Sequence, residues 1–241
     1  MKLAILSDIH GNMEAFEAVL GDITEQSVDT VVSLGDHIGY GPDPEEVNLR
    51  IMDLKIASVL GNHEYAVLNR DHIESFNVNA KRSILMTLEM LSEKSLAFIS
   101  GLPLFLVTQG CRFVHGLPPD SPTLYFHEIQ GESLEALFHE FAEPVCFVGH
   151  THRLDLAVFN GKRAFRMPLS TGILPLENKL RYIINTGSVG QPRDGDKRAK
   201  YALWNTENCV LEIRAVDYDI PSVVEKIRVR GLPMANAYRL L

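Results

Sequence analysis

The sequence has no long apolar run. Its most hydrophobic stretches, such as Leu102 to Val107 and Val145 to Val148, fall far short of the roughly 20 residues that span a bilayer, which excludes a transmembrane helix. Positive charge is in deficit. Against 31 Asp and Glu there are 23 Lys and Arg, a formal charge of −8, so the chain as a whole would not attract an extended nucleic acid or an anionic membrane. Cysteine is scarce: Cys111, Cys146 and Cys209 are odd in number, widely spaced and free of any CxxC pair, which speaks against a disulfide framework and predicts reduced thiols in a core. No Ser/Gly-rich or highly charged linker interrupts the chain, and no repeat recurs at a period of about 20 to 50 residues. The strand-like run Leu3 to Leu6 starts too near Met1 to follow a charged leader and a cleavable apolar segment, so a cytoplasmic protein is expected.

What is present is enough for a full core. Of 241 residues 46% are hydrophobic and 22% charged, and residues 1–241 are expected to form a single domain. The first third alternates short apolar runs with amphipathic stretches. Leu3 to Leu6 precedes Asn12, a helix cap, and then Phe16, Val19, Leu20 and Ile23 on one helical face. Thr30 to Leu34 precedes Asp43-Pro44, which begins a helix whose Val47, Ile51 and Leu54 share a face; Ile56 to Leu60 reads as a third strand, and about 71–95 as mostly helical. Such alternation favours parallel strands covered by helices.

Later the pattern turns antiparallel. Gln109-Gly110 lies between Leu104 to Val107 and Arg112 to His115, and Asn160-Gly161 between Leu156 to Phe159 and Arg163 to Met167. A helical stripe of Leu134, Leu137, Phe138 and Phe141 leads into the strand Val145 to Val148. Tyr201 to Thr206 and Val210 to Val216 form a late hairpin, followed by a helix after Pro221. The expected class is α/β: a four-layer α/β/β/α sandwich of two packed mixed sheets flanked by helices.

The chemistry-bearing residues follow the apolar runs. Asp8 and His10, then Asp36, then Asn62 and His63, then His115, then His150 and His152 each fall at the carboxyl end of a strand, where loops converge on ligands in α/β folds. Gly11, Gly35, Gly61, Gly116 and Gly149 accompany them. Asp8-Ile9-His10 and His150-Thr151-His152 have a strand's spacing, in which residues two apart point the same way. Imidazoles, carboxylates and one amide oxygen suit a divalent transition metal, Mn²⁺ or else Fe, Ni or Zn, and without a thiolate cluster a structural zinc site is disfavoured. Seven ligands, Asp8, His10, Asp36, Asn62, His115, His150 and His152, exceed the needs of one tetrahedral ion. They fit two ions at the ~3.5–4 Å separation of binuclear hydrolases if one carboxylate bridges them. His37, His72, His127 and His139 lack this setting and read as ordinary surface or hydrogen-bonded histidines.

The blocks Asp8-Ile9-His10-Gly11-Asn12, Gly35-Asp36, Gly61-Asn62-His63-Glu64, His115-Gly116 and Gly149-His150-Thr151-His152 resemble, in order, those of the calcineurin-like metallophosphoesterase superfamily. Asn185 to Arg193 resembles a further loop of its small bacterial and archaeal phosphodiesterase-like members. The resemblance implies that Asp8, His10 and His152 hold one metal, that Asp36 bridges, that Asn62, His115 and His150 hold the second, and that His63 is the acid for the leaving group. It implies activated water attacking phosphorus in line, with no covalent intermediate. Glu64 is a candidate to orient a histidine, with no partner assigned. The chain departs from the protein Ser/Thr phosphatases and diadenosine tetraphosphatases: His37-Ile38-Gly39 follows Asp36 where those enzymes continue Asp-Arg-Gly, and Leu60 stands where they carry Arg.

A small phosphate ester, a diester in preference to a phosphoprotein, is therefore the expected substrate. A phosphomonoesterase or nucleotide phosphatase with the same site is the alternative, and a metal-binding scaffold without turnover is the alternative of another class. A nuclease is disfavoured by the acidic balance. Arg193, Lys197, Arg198 and Lys200 form a basic run that a solvated loop explains as well as binding does; its candidate for the substrate phosphate is Arg193, through the two-pronged guanidinium.

Overall fold

The computed structural model describes residues 1–241. Strand β1 (Lys2–Leu6) runs parallel to β2 (Thr30–Ser33), which pairs with the short β3 (Ala57–Ser58); between them lie α1 (Met13–Thr24) and α2 (Pro44–Asp53). On its other side β1 meets β11 (Ala199–Asn205) antiparallel, followed by β12 (Val210–Val216) and β9 (Gly172–Pro175). The second sheet is β4 (Phe105–Thr108), β5 (Cys111–Val114), β6 (Val145–Val148), β10 (Arg181–Thr186), β7 (Leu154–Phe159) and β8 (Ala164–Met167) in spatial order, with β5, β6 and β10 parallel. Both sheets are mixed and six-stranded, as the pattern of parallel units followed by hairpins anticipates.

Alternation along the strands builds the layers. Leu3 and Ile5 join Val32, Phe113, Phe147, Ile184 and Trp204 between the sheets, while Ala4 and Leu6 on the opposite face pack under Phe16 and Val19 of α1 and Val47 and Ile51 of α2. On the far side of the second sheet, Val114, Cys146 and Val148 pack under Leu134, Leu137 and Phe138 of α6 (Gly131–Leu137) and its C-cap. Cys111 and Cys146 are buried, and all three cysteines are free. No helix is long and apolar enough to cross a membrane.

The structure corrects four local expectations. Leu54 is not on the buried face of α2: it caps the helix and is exposed. The strand expected over Ile56 to Leu60 shrinks to two residues, because Leu60 donates its N–H to the Pro103 carbonyl and not to a strand. The helical region near 71–95 is three pieces, a 3-10 helix at Arg70–Ser75, α4 (Val78–Met90) and α5 (Glu93–Ser100), since the side chains of Asn77 and Ser92 each cap a new start. Strands β9 and β10 were not anticipated. β10 is central, yet its apolar run is only Tyr182-Ile183-Ile184, and the Asn185-Thr186 that completes it reads as a loop.

Two further helices close the chain, α7 (Ile220–Val229) and α8 (Met234–Tyr238), with α3 (Asn62–Leu68) lying earlier beside the site. Lys226 and Arg230 of the α7 end bind the Asp43 carboxylate that starts α2, and Asn236 of α8 donates to the Tyr40 carbonyl. The last segment thus ties down the loop after β2.

Candidate active site

The loops after β1, β2, β5 and β6 and the first turn of α3 bring Asp8, His10, Asp36, Asn62, His63, His115, His150 and His152 together, and none is more than 7% exposed. Three groups of potential donors lie within 4.8 Å: Asp8, His10 and His152; His10, Asp36 and His63; and Asp36, His115 and His150. Asn62 joins the last group, its Oδ1 3.1 Å from His115 Nε2. Asn62 and His63 sit on a helix start, not on a strand end.

Convergence comes from backbone strain, not from strand alternation. Asp8, His10, Asp36, His150 and His152 all have φ between 51° and 68°, the left-handed region that side chains with a Cβ avoid. Such strain persists only where surrounding bonds impose it. Here the N–H of His10 donates to the Asp36 carbonyl at 2.9 Å, that of Gly190 to the Asp8 carbonyl at 2.9 Å, and that of His150 to Asp8 Oδ2 at 3.1 Å. Gly149 is obligatory because a Cβ there would stand 2.7 Å from Asp8 Oδ2.

The imidazoles are oriented through one nitrogen each. His10 Nδ1 lies 2.8 Å from the Ile38 carbonyl, His152 Nδ1 2.7 Å from that of Gln191, and His115 Nδ1 2.8 Å from that of Leu34. A carbonyl only accepts, so these nitrogens carry the hydrogens, and in neutral His10 and His152 Nε2 is left as a lone pair, while His115 Nε2 faces the oxygens of Asn62 and Asp36. His150 is reversed: Nε2 contacts the Thr123 carbonyl at 3.2 Å, leaving Nδ1 free. The lone pairs of His10 and His152 then face each other across 3.0 Å, with Asp8 Oδ1 3.3 Å from His152 Nε2, buried and without a hydrogen-bond partner. Neutral donors cannot reconcile that arrangement, and a cation can. The set therefore fits a bound metal.

Burial keeps three of the four imidazoles neutral. Burial holds His10 and His152 well below the usual histidine range and His150 at about 3, while the Asp8 carboxyl is pushed by burial up to about 6. His115 goes the other way: burial disfavours its cation, but the Asp36 charge beside it prevails and raises it to about 9.

His63 lies with its ring centroid 4.8 Å from that of His10. Its Nδ1 is buried without a partner against Gly39, which leaves Nε2 as the nitrogen open to a ligand. Arg193 is half-buried, donates to Gln191 Oε1 at 2.7 Å and lies over the Tyr40 ring at 5.6 Å, while Lys197, Arg198 and Lys200 turn away to Arg239, Asp196 and Asp194. Glu64 orients no histidine. Its carboxylate accepts the N–H groups of Asp36, His37, Ile38 and Gly61 and so holds the loop after β2. His37 is buried, bonded to Ser33 Oγ at 2.8 Å. Sequence reasoning missed Tyr40, 4.7 Å from both His10 and His63, and Tyr125, stacked on His150 at 3.9 Å. Tyr40 sits in a Gly39-Tyr40-Gly41-Pro42 run whose turn chemistry signals a shaped loop; Tyr125 has no such flag.

Residues 1–209 match the family model of the calcineurin-like phosphoesterase superfamily domain. An uncharacterized protein of Methanocaldococcus jannaschii is 35% identical over 240 residues, covering 96% of this chain and 93% of its own. Among solved structures, a metallophosphoesterase from Sphaerobacter thermophilus superposes with a TM-score of 0.83 at 33% identity, over 100% of this chain and 98% of that one. A hypothetical protein from Pyrococcus horikoshii shares the fold, with a TM-score of 0.76 at 21% identity over 99% and 97% of the two chains.

Proposed function

The chain belongs to the calcineurin-like phosphoesterase superfamily and is a metal-dependent hydrolase of phosphate esters; from that premise we propose that it is a phosphodiesterase working with two divalent cations, manganese first among the candidates. The observation that carries this reading is the overlap of the donor groups: Asp36 belongs both to the His10 and His63 group and to the His115 and His150 group, as a bridging carboxylate must. Asp8, His10 and His152 would hold one ion, and Asn62, His115 and His150 the other. When bound, the pair supplies Lewis acidity that activates water and neutralises charge on the phosphoryl oxygens.

The protein's own groups do the rest. Arg193 binds a phosphate oxygen from the rim, with Gln191 fixing its guanidinium. Burial pushes His63 down to about 4 in the free protein, so it takes up a proton for the departing oxygen, at Nε2, only as an arriving anion adds to the Asp36 charge in offsetting that burial. The preference for a diester rests on charge. A diester carries one negative charge fewer than a monoester dianion, and the positions after Asp36 and before Gly61 that could add arginines are His37-Ile38 and Leu60. Three free cysteines accord with the cytoplasmic setting we propose.

The test uses the full chain, stripped with chelator, reloaded with Mn²⁺, Fe²⁺, Ni²⁺ or Zn²⁺ and assayed for metal content. Two ions per chain and a higher kcat/KM for bis(p-nitrophenyl) phosphate than for p-nitrophenyl phosphate are expected, with Arg193→Ala lowering the diester value about 10-fold or more. One ion per chain, or a monoester preference, overturns the reading.

A further inference from the structure

Tyr125 lines both of two cavities of about 460 Å³ each, the first reaching His63 and His150 and the second Thr151 and Arg153. They differ in chemistry. The first opens on His63 and His150 and is walled by the rings of Tyr40, Phe76 and Tyr125; no carboxylate, lysine or arginine lines it. Phe76 stands with its ring centroid 5.0 Å from that of His63, half-buried and presented by the turn between the 3-10 helix and α4. Beside it Asn77 has spent its Oδ1 capping α4, through the N–H groups of Asn79 and Ala80, so its amide donors remain for a guest. The second cavity carries Arg153 and Arg193, neither of which has a carboxylate partner; the Asp155 in its wall is taken by Arg166.

A cavity that sets three aromatic rings among the neutral polar groups of His72, Ser75, Asn77 and Thr123, beside the leaving-group histidine, favours a flat guest whose faces stack and whose edge hydrogen-bonds. The cationic cavity disfavours that guest and favours an anionic one. Resting on the phosphodiesterase reading, we infer that the substrate is an ester with an aromatic or heteroaromatic arm, held in the Phe76 cavity as the leaving group, with its charged portion towards Arg193 and Arg153. Phe76 and Tyr125 are then the residues that set specificity.

The test is calorimetric binding of phosphonates to the manganese-loaded full chain, which needs no turnover. Benzylphosphonate should bind about threefold to tenfold more tightly than cyclohexylmethylphosphonate, a guest of like size without a π-face. Phe76→Leu, which keeps an apolar side chain against His63, should bring that ratio close to one, Phe76→Tyr should restore it, and Val78→Ala, at an exposed neighbour outside the cavity, should leave it as in the wild type. A wild-type ratio at or below one, or one that Phe76→Leu does not change, overturns the inference. Diester turnover without the aryl preference sinks this inference alone. The aryl preference without diester turnover under any of the four metals sinks the phosphodiesterase reading and supports the aromatic cavity as a ligand site.

Discussion

Glu64 Oε2 accepts the backbone N–H of Asp36 at 2.8 Å, so the carboxylate shared by two of the three donor groups is aimed by a second, fully buried carboxylate. The same side chain takes three more N–H groups, those of Gly61, His37 and Ile38. A buried acid with this many donors around it acts as a template for the loop, although burial and the nearby Asp36 charge push its own carboxyl up to about 7.

Glu64→Gln is therefore expected to do more than remove a charge. Whichever way the amide turns, its NH₂ meets backbone donors and leaves them unpaired, a loss of about 1–3 kcal/mol. Thermal unfolding should show Tm lower by several degrees, with metal affinity reduced as the Asp36 loop relaxes. An unchanged Tm would show that the four N–H groups find other partners.

Asp36→Asn is the sharpest probe of two ions sharing one ligand. The side chain keeps its size and its acceptor for the His63 N–H, now 2.9 Å from Oδ1, but loses the charge that two ions would share under the proposal. Metal analysis after equilibration in chelator-buffered Mn²⁺ should show both equivalents lost together. Retention of one equivalent would assign Asp36 to a single ion.

How far this site could be read from the chain follows from what kind of residue carries each part. Asp8, His10, Asp36, Asn62, His115, His150 and His152 come together as their positions after apolar runs suggest, because those runs become adjacent parallel strands of two facing sheets. The means of convergence was not readable: period-two spacing predicts extended backbone, whereas Asp8 and His10 both adopt φ above 50°. Glu64 looked like a partner for a histidine because its block is rich in them, and only the fold shows four backbone donors around it. Phe76 and Tyr125 were invisible since nothing local distinguishes a ring that walls a cavity from one that fills a core.

His63→Ala should separate chemistry from metal binding. His63 is not needed to satisfy either outer group of donors, so both ions should remain. Turnover should fall by ~10²–10⁴, most for alkyl leaving groups, which need a proton, and least for p-nitrophenolate, which does not. A uniform loss across leaving groups would assign the residue to binding and not to proton donation.

Acid stability offers a test away from the metal centre. Asp22 near the end of α1 accepts hydrogen bonds from Arg214 Nε at 2.6 Å and Nη2 at 2.8 Å and from the Tyr201 hydroxyl at 2.6 Å, fastening the helix to β11 and β12. The Arg214 contact leads in holding its carboxyl below the usual range, against burial. The sign follows from proton linkage: with the folded pKa depressed, the unfolded chain binds this proton first, so the contribution is complete above about pH 4 and is lost as pH falls through the lower folded value. Asp22→Asn should be less stable than the wild type at pH 7, and its unfolding free energy should decline less steeply between about pH 4 and pH 2. Parallel curves for the two proteins across that window would mean that other carboxylates account for the acid transition.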